Sequence, residues 1–105
     1  DLPVLVVACL RGARVPLVPP PPIAASSYYG SIYPSVQNLL LAARANGLGA
    51  VITTWHLMLE SEFKAVLGIP RNVKTFAIVP VGYPLGRFGE VVRKPAAASI
   101  HRDRW

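Results

Sequence analysis

The chain has 105 residues, room for one small domain and too few for two. Hydrophobic residues make up 52 % and charged residues 15 %, which excludes intrinsic disorder over most of the length. Eleven Lys and Arg against five Asp and Glu give a net charge of +6, spread along the chain without the dense block expected of a duplex-binding face. No stretch reaches the roughly 18 uninterrupted apolar residues of a membrane span. The single cysteine, Cys9, excludes an internal disulfide and a Cys-rich zinc site, and inside its apolar run it reads as a small buried hydrophobe.

In chain order, residues 4–10 read as a strand. Val4, Leu5, Val6 and Val7 in succession call for cover on both faces. The prolines of residues 16–22 allow neither helix nor central strand and predict a rigid loop of polyproline II character. Arg14, Pro16 and Pro19 loosely match a proline-rich ligand, but a surface loop is the better reading. A long helix is expected within residues 26–46, capped by Ser31 or an earlier serine, with Pro34 near its first turn. Val36, Leu39, Leu40 and Ala43 recur at helical spacing, and Leu41 and Ala42 widen the apolar face. Gly47 or Gly49 supplies the stop.

Residues 50–54 then read as a short strand. Residues 58–67 read as a second helix with Leu59, Phe63 and Leu67 on one face and a Glu60–Lys64 pair along it. Gly68-Ile69-Pro70 ends that helix. Residues 75–81 form a third strand, followed by a tail of little periodicity. Few elements are available to cover so apolar a sheet, so the chain reads as the C-terminal part of a larger protein, with an α+β arrangement of mixed sheet, packed helices and extended tail.

The inventory excludes most self-sufficient catalysis. His56 and His101 lack ligand spacing, so no metal site is expected, and the only aspartates are Asp1 and Asp103. Gly47-Leu48-Gly49 follows a helix and is no phosphate-binding turn. No catalytic side chain is assigned, and any redox chemistry must come from a cofactor. In residues 87–105, Arg87, Arg93, Lys94, Arg102 and Arg104 outnumber Glu90 and Asp103, which suits a local anion site.

The order and wording of the segments carry more. The run of residues 37–51, from Gln37-Asn38-Leu39 to Gly49-Ala50-Val51, resembles the central helix and following strand of the FMN-dependent nitroreductase family. The resemblance continues through Leu67-Gly68-Ile69-Pro70, Val79-Pro80-Val81-Gly82-Tyr83-Pro84, Arg93-Lys94-Pro95 and Asp103-Arg104-Trp105. It implies a nitroreductase-like α+β fold and a cytoplasmic homodimer with FMN at the interface. It also implies a ping-pong reaction, NADH or NADPH reducing the flavin and the flavin reducing nitro compounds, quinones or related small acceptors. The family's N-terminal Arg-x-Ser-x-Arg phosphate motif is absent from this sequence, so residues 1–105 match the C-terminal portion of one such domain and are expected to be inactive in isolation.

Carried over by residue, the resemblance puts Ile52, Thr53, Thr54 and Trp55 along the isoalloxazine edge, where backbone N–H groups can bond it. Better-known branches have an acid and then glycine where Thr54-Trp55 stand here. Arg93 matches an arginine used on the FMN phosphate, a task its planar fork of donors suits. Lys94, its neighbour in an extended segment, points the other way. Ser31 falls where relatives sometimes touch the flavin, and Tyr29 and Tyr33, with Tyr28 beside them, are candidates for the acceptor pocket. Two other readings compete: a remnant that keeps the fold without flavin, and a small basic module for anions or nucleic acid. Scattered charge and the lack of an aromatic-studded basic sheet count against the second, so no nucleic-acid partner and no membrane is expected.

Overall fold

A computed structural model describes residues 3–11 and 22–104, with backbone alone for residues 22–25. The expected proline-rich loop lies outside the described residues apart from Pro22, as does Trp105. Three strands, β1 (Val4–Arg11), β2 (Gly49–Ala50) and β3 (Val73–Gly82), form a sheet in the order β1-β3-β2. Both outer strands run antiparallel to β3, so the sheet expected to be mixed is antiparallel throughout the described residues. The reason is topological: β1 and β2 are joined through a long helix and run the same way, but β3 inserts between them.

That helix, α1 (Pro22–Ala45), starts earlier than the sequence suggested. Proline is well suited to a first helical position, where its missing N–H would be unpaired anyway. Pro34 is therefore inside the helix rather than in its first turn, and removes the N–H that would reach Gly30. Packing outweighs this loss. Val36 joins Ala77 and Val79 of β3 in the core, with Ile32, Leu39, Leu40, Val6, Ala8 and Val81 packed around them. Leu41 faces outward, so the apolar face is narrower than its composition implied. Ser31 caps nothing; from mid-helix its hydroxyl donates to the Ser27 carbonyl at 3.0 Å. Gly47, at φ 74°, is the stop: its N–H bonds Arg44 O and the next N–H bonds Ala43 O.

The strand expected at residues 50–54 is split. Gly49 pairs with Gly82, Ala50 with Val81, and Thr53 with Ile78 as a lone bridge. The register is constant, so Val51 stands opposite Pro80. Thr53 and Ile78 exchange both backbone bonds at 2.9 Å, and two residues along, Pro80 has no N–H to repeat the exchange. The second helix likewise divides into a 3-10 turn, Trp55–Leu59, and α2 (Glu60–Leu67). Only Phe63 of its expected apolar stripe is half-buried; Leu59 and Leu67 are exposed. The Glu60–Lys64 pair does not form, because Glu60 turns to β3 and Lys64 donates to the Arg71 carbonyl.

A bulge in β3 decides which face its residues occupy. Ala8 pairs with Ala77 and Cys9 with Thr75, leaving Phe76 as an extra residue. Phe76 thus packs edge-on against Tyr29 of α1 while Thr75 turns to the opposite face and meets α2. Cys9, expected buried, is exposed on the edge strand. The opposite face is open beyond Thr75: Leu5 is 60 % exposed and Val51 equally so. The molecule is flat, 44 × 44 × 21 Å, with a radius of gyration of 17.2 Å, against about 13 Å for a compact domain of 100 residues. Residues 83–104 form the expected extended tail, interrupted only by a 3-10 turn, Ala96–Ser99.

Candidate flavin-edge strand and its support

The segment from Ile52 to Trp55 leaves the sheet between the Thr53 bridge and the 3-10 turn. Ile52, Thr54 and Trp55 are exposed, Trp55 by 78 %. Thr53 gives its N–H to Ile78 O, so it is committed to the sheet. Among the described residues the Thr54 N–H has no hydrogen bond, and the Trp55 N–H has only a long one, 3.4 Å, to Thr53 Oγ1. Two backbone donors therefore stand available at an exposed strand end. That donor set fits the polar edge of a flavin, whose ring nitrogens and carbonyls accept hydrogen bonds.

The turn is held to β3 by a polar cluster. Glu60 Oε1 accepts the Thr75 N–H at 2.9 Å and the Thr75 hydroxyl at 2.8 Å, while Oε2 accepts from Lys74 Nζ. The Thr75 oxygen lies 3.1 Å from His56 Nε2, and the His56 ring packs on Phe63 at 4.8 Å between centroids. Thr75 is 0 % exposed. Burial by itself pushes the Glu60 carboxyl up, but the Lys74 ammonium and the two Thr75 donors outweigh it and hold the carboxyl down to about 2. Burial also lowers His56, with the Glu60 charge opposing. Sequence reading missed this cluster, although His56 and Glu60 have one-face helical spacing and Lys74-Thr75 interrupts an apolar strand.

The other predicted residues lie elsewhere. Tyr29 and Tyr33 stack at 6.0 Å on α1, and the Tyr33 hydroxyl donates to Phe76 O at 3.3 Å, tying helix to sheet. Ser31 lines a cavity of about 390 Å³ with Leu10, Tyr28 and Ser35. Arg93 is exposed in the tail, without an ion pair among the described residues. The nearest anchor of that tail is upstream, where Arg44 lies over the Phe88 ring at 3.8 Å and Pro84 and Phe88 approach Gly49. Among the described residues no hydrogen bond or ion pair joins Arg93 to residues 52–55. No helix among the described residues is long and apolar enough to cross a membrane.

Comparison with known proteins agrees with this architecture. The family model described as the nitroreductase family matches residues 2–83. The chain belongs to that family. A protein of Archaeoglobus fulgidus named as a putative NADH dehydrogenase/NAD(P)H nitroreductase is 37 % identical over 76 residues, 68 % of this chain and 43 % of the relative. The solved structure of NfrA2 from B. megaterium superposes with a TM-score of 0.69 at 22 % identity, covering 99 % of this chain and 46 % of that one. The nitroreductase-like α+β fold is thereby shown, and the chain spans less than half the length of both.

Proposed function

We propose that residues 1–105 form the C-terminal portion of a single nitroreductase-type domain that works as a cytoplasmic FMN-dependent oxidoreductase. The observation that carries this reading is the pair of available backbone donors at Thr54 and Trp55, on the strand end of a chain belonging to this family. The chemistry that bound FMN supplies is hydride acceptance from NADH or NADPH and delivery, in ping-pong order, to a nitro compound, quinone or related small molecule.

The chain's own residues bind and orient. Thr53 fixes the strand end on β3, so that Ile52, Thr54 and Trp55 present their backbone along the ring edge. Arg93 binds the phosphate through charge-assisted bonds from its planar fork. Trp55, where other branches carry glycine, narrows the acceptor side. Tyr29 and Tyr33, stacked on α1, are assigned to the acceptor pocket, and Ser31, two residues from each on another face of the helix, to the flavin. The open sheet face and flat shape leave apolar surface for the rest of the domain and for a second copy, in a homodimer with FMN at its interface. Nothing in this reading calls for nucleic acid or membrane.

The test is a flavin titration of this chain preceded by the part of a family-length protein that it does not span. The joined protein is expected to bind FMN and to oxidise NADH or NADPH with a quinone acceptor. A joined, folded protein that stays colourless in excess FMN would leave the flavin-free remnant as the correct reading.

A further inference from the structure

The cluster of Glu60, Lys74, Thr75 and His56 contains a proton order that can be worked out atom by atom. A threonine hydroxyl has one proton to give. Thr75 gives it to Glu60 Oε1, 2.8 Å away, because an ionised carboxylate only accepts. The Thr75 oxygen can then only accept from the imidazole, so the proton on His56 sits on Nε2. Nδ1 is left as a bare lone pair, and it is buried without a hydrogen-bond partner among the described residues.

We infer that Glu60 is a positioning residue which, through Thr75, fixes His56 as the Nε2–H tautomer and so holds the Trp55–Leu59 turn, with the Thr54 N–H before it, in one orientation on β3. The bulge at Phe76 is what makes this reach possible, since it turns Thr75 toward α2 instead of α1. Lys74 completes the device by neutralising the second carboxylate oxygen. A carboxylate that merely stapled α2 to β3 would leave the imidazole indifferent to tautomer. The same order resists acid: a second proton on His56 has to go on the buried Nδ1. The charged groups facing the ring are Glu60 and Lys74, and Glu60 is already engaged by Lys74. Service of the Thr54 N–H to a flavin rests on the function proposed above; the positioning of the turn does not.

The chain has two histidines, so one-residue labelling with nitrogen-15 and a His101→Gln control assigns both rings. Imidazole nitrogen shifts in the full chain are expected to show His56 with the proton on Nε2. In Glu60→Ala the freed Thr75 hydroxyl is able to turn its proton toward Nε2, and the Nδ1–H form of His56 becomes populated beside the Nε2–H form. Glu60→Gln keeps a carbonyl that accepts from Thr75 and retains the original tautomer. Amide exchange at Leu57 and Thr53, the bonds that seat the turn, rises about tenfold or more in Glu60→Ala, which removes the two Thr75 donors and the Lys74 ammonium from a charged acceptor, and is largely restored in Glu60→Gln. An Nδ1–H tautomer in the unaltered chain overturns the inference and needs no variant to fold. So does a tautomer and exchange pattern that Glu60→Ala and Thr75→Val both leave unchanged. If the tautomer responds as described but the joined protein takes no FMN, the flavin reading falls and the positioning of the turn stands.

Discussion

The two stretches proposed to hold the cofactor are built differently. Residues 52–55 are pinned on both sides, by the reciprocal Thr53–Ile78 bonds and by Glu60 acting through Thr75 on His56. Arg93 stands in a tail whose nearest anchor, the Arg44–Phe88 contact, is five residues upstream. A site that must present weak neutral donors along a ring edge gains from a rigid strand, because a small misplacement forfeits them. A guanidinium gripping a phosphate has charge to spare and tolerates a looser mount.

Completing the domain changes both stretches most. This chain alone is expected to bind FMN at least ~100-fold more weakly than the joined protein, corresponding to two or more charged contacts at roughly 1.5–3 kcal/mol each. Equal affinity, read by flavin fluorescence quenching, would mean the described half carries the whole site. Next, Arg93→Ala in the joined protein removes a contact of about 1.5–3 kcal/mol, a loss of about 10- to 150-fold for FMN. Riboflavin, lacking the phosphate, supplies the control and is expected to hardly change; a larger loss in Lys94→Ala would transfer the role to the neighbour.

On the pinned side, Thr75→Val is expected to cost about 1–3 kcal/mol in denaturant unfolding, since it takes the hydroxyl donor from Glu60 and leaves the half-buried His56 Nε2 without its partner. Acid weakens this side through two groups. Glu60 is lowered from 4.5 to about 2, so its contribution is complete above 4.5 and is lost as pH falls toward about 2. His56 is lowered from 6.5, so the unfolded chain binds its proton first and stability falls as pH drops below 6.5. Thermal melts of Glu60→Gln are expected to lose the slope of Glu60 and keep that of His56. The tail anchor matters least: Arg44→Ala is expected to cost about 0.5–1 kcal/mol in the same unfolding measurement.

Much of the fold was legible because hydrophobic periodicity and glycine stops are local signals. Gly47 and Gly68 both end helices in the left-handed conformation, as Gly68-Ile69-Pro70 announced. What stayed hidden depends on partners distant in sequence. Pro80 interrupts a strand 29 positions earlier by facing Val51, which no window around either residue reveals. Glu60 and Lys64 have ideal helical spacing, yet Glu60 finds better donors on β3. The bulge at Phe76 changes which face Thr75 occupies, and alternation read from the sequence assigns a residue beyond such a bulge to the wrong side. Of the candidate site, residues 52–55 came from family wording rather than from composition, since an unpaired or weakly bonded backbone donor has no sequence signature.

Whether the Thr54 and Trp55 N–H groups meet the flavin is decided by titrating FMN into the joined protein labelled with nitrogen-15 and following backbone amides. The expected result is that Thr54 and Trp55 move furthest among residues 49–60, with the Arg93 side-chain nitrogens moving alongside for FMN and staying put for riboflavin. FMN bound at full occupancy with both amides unmoved would contradict it.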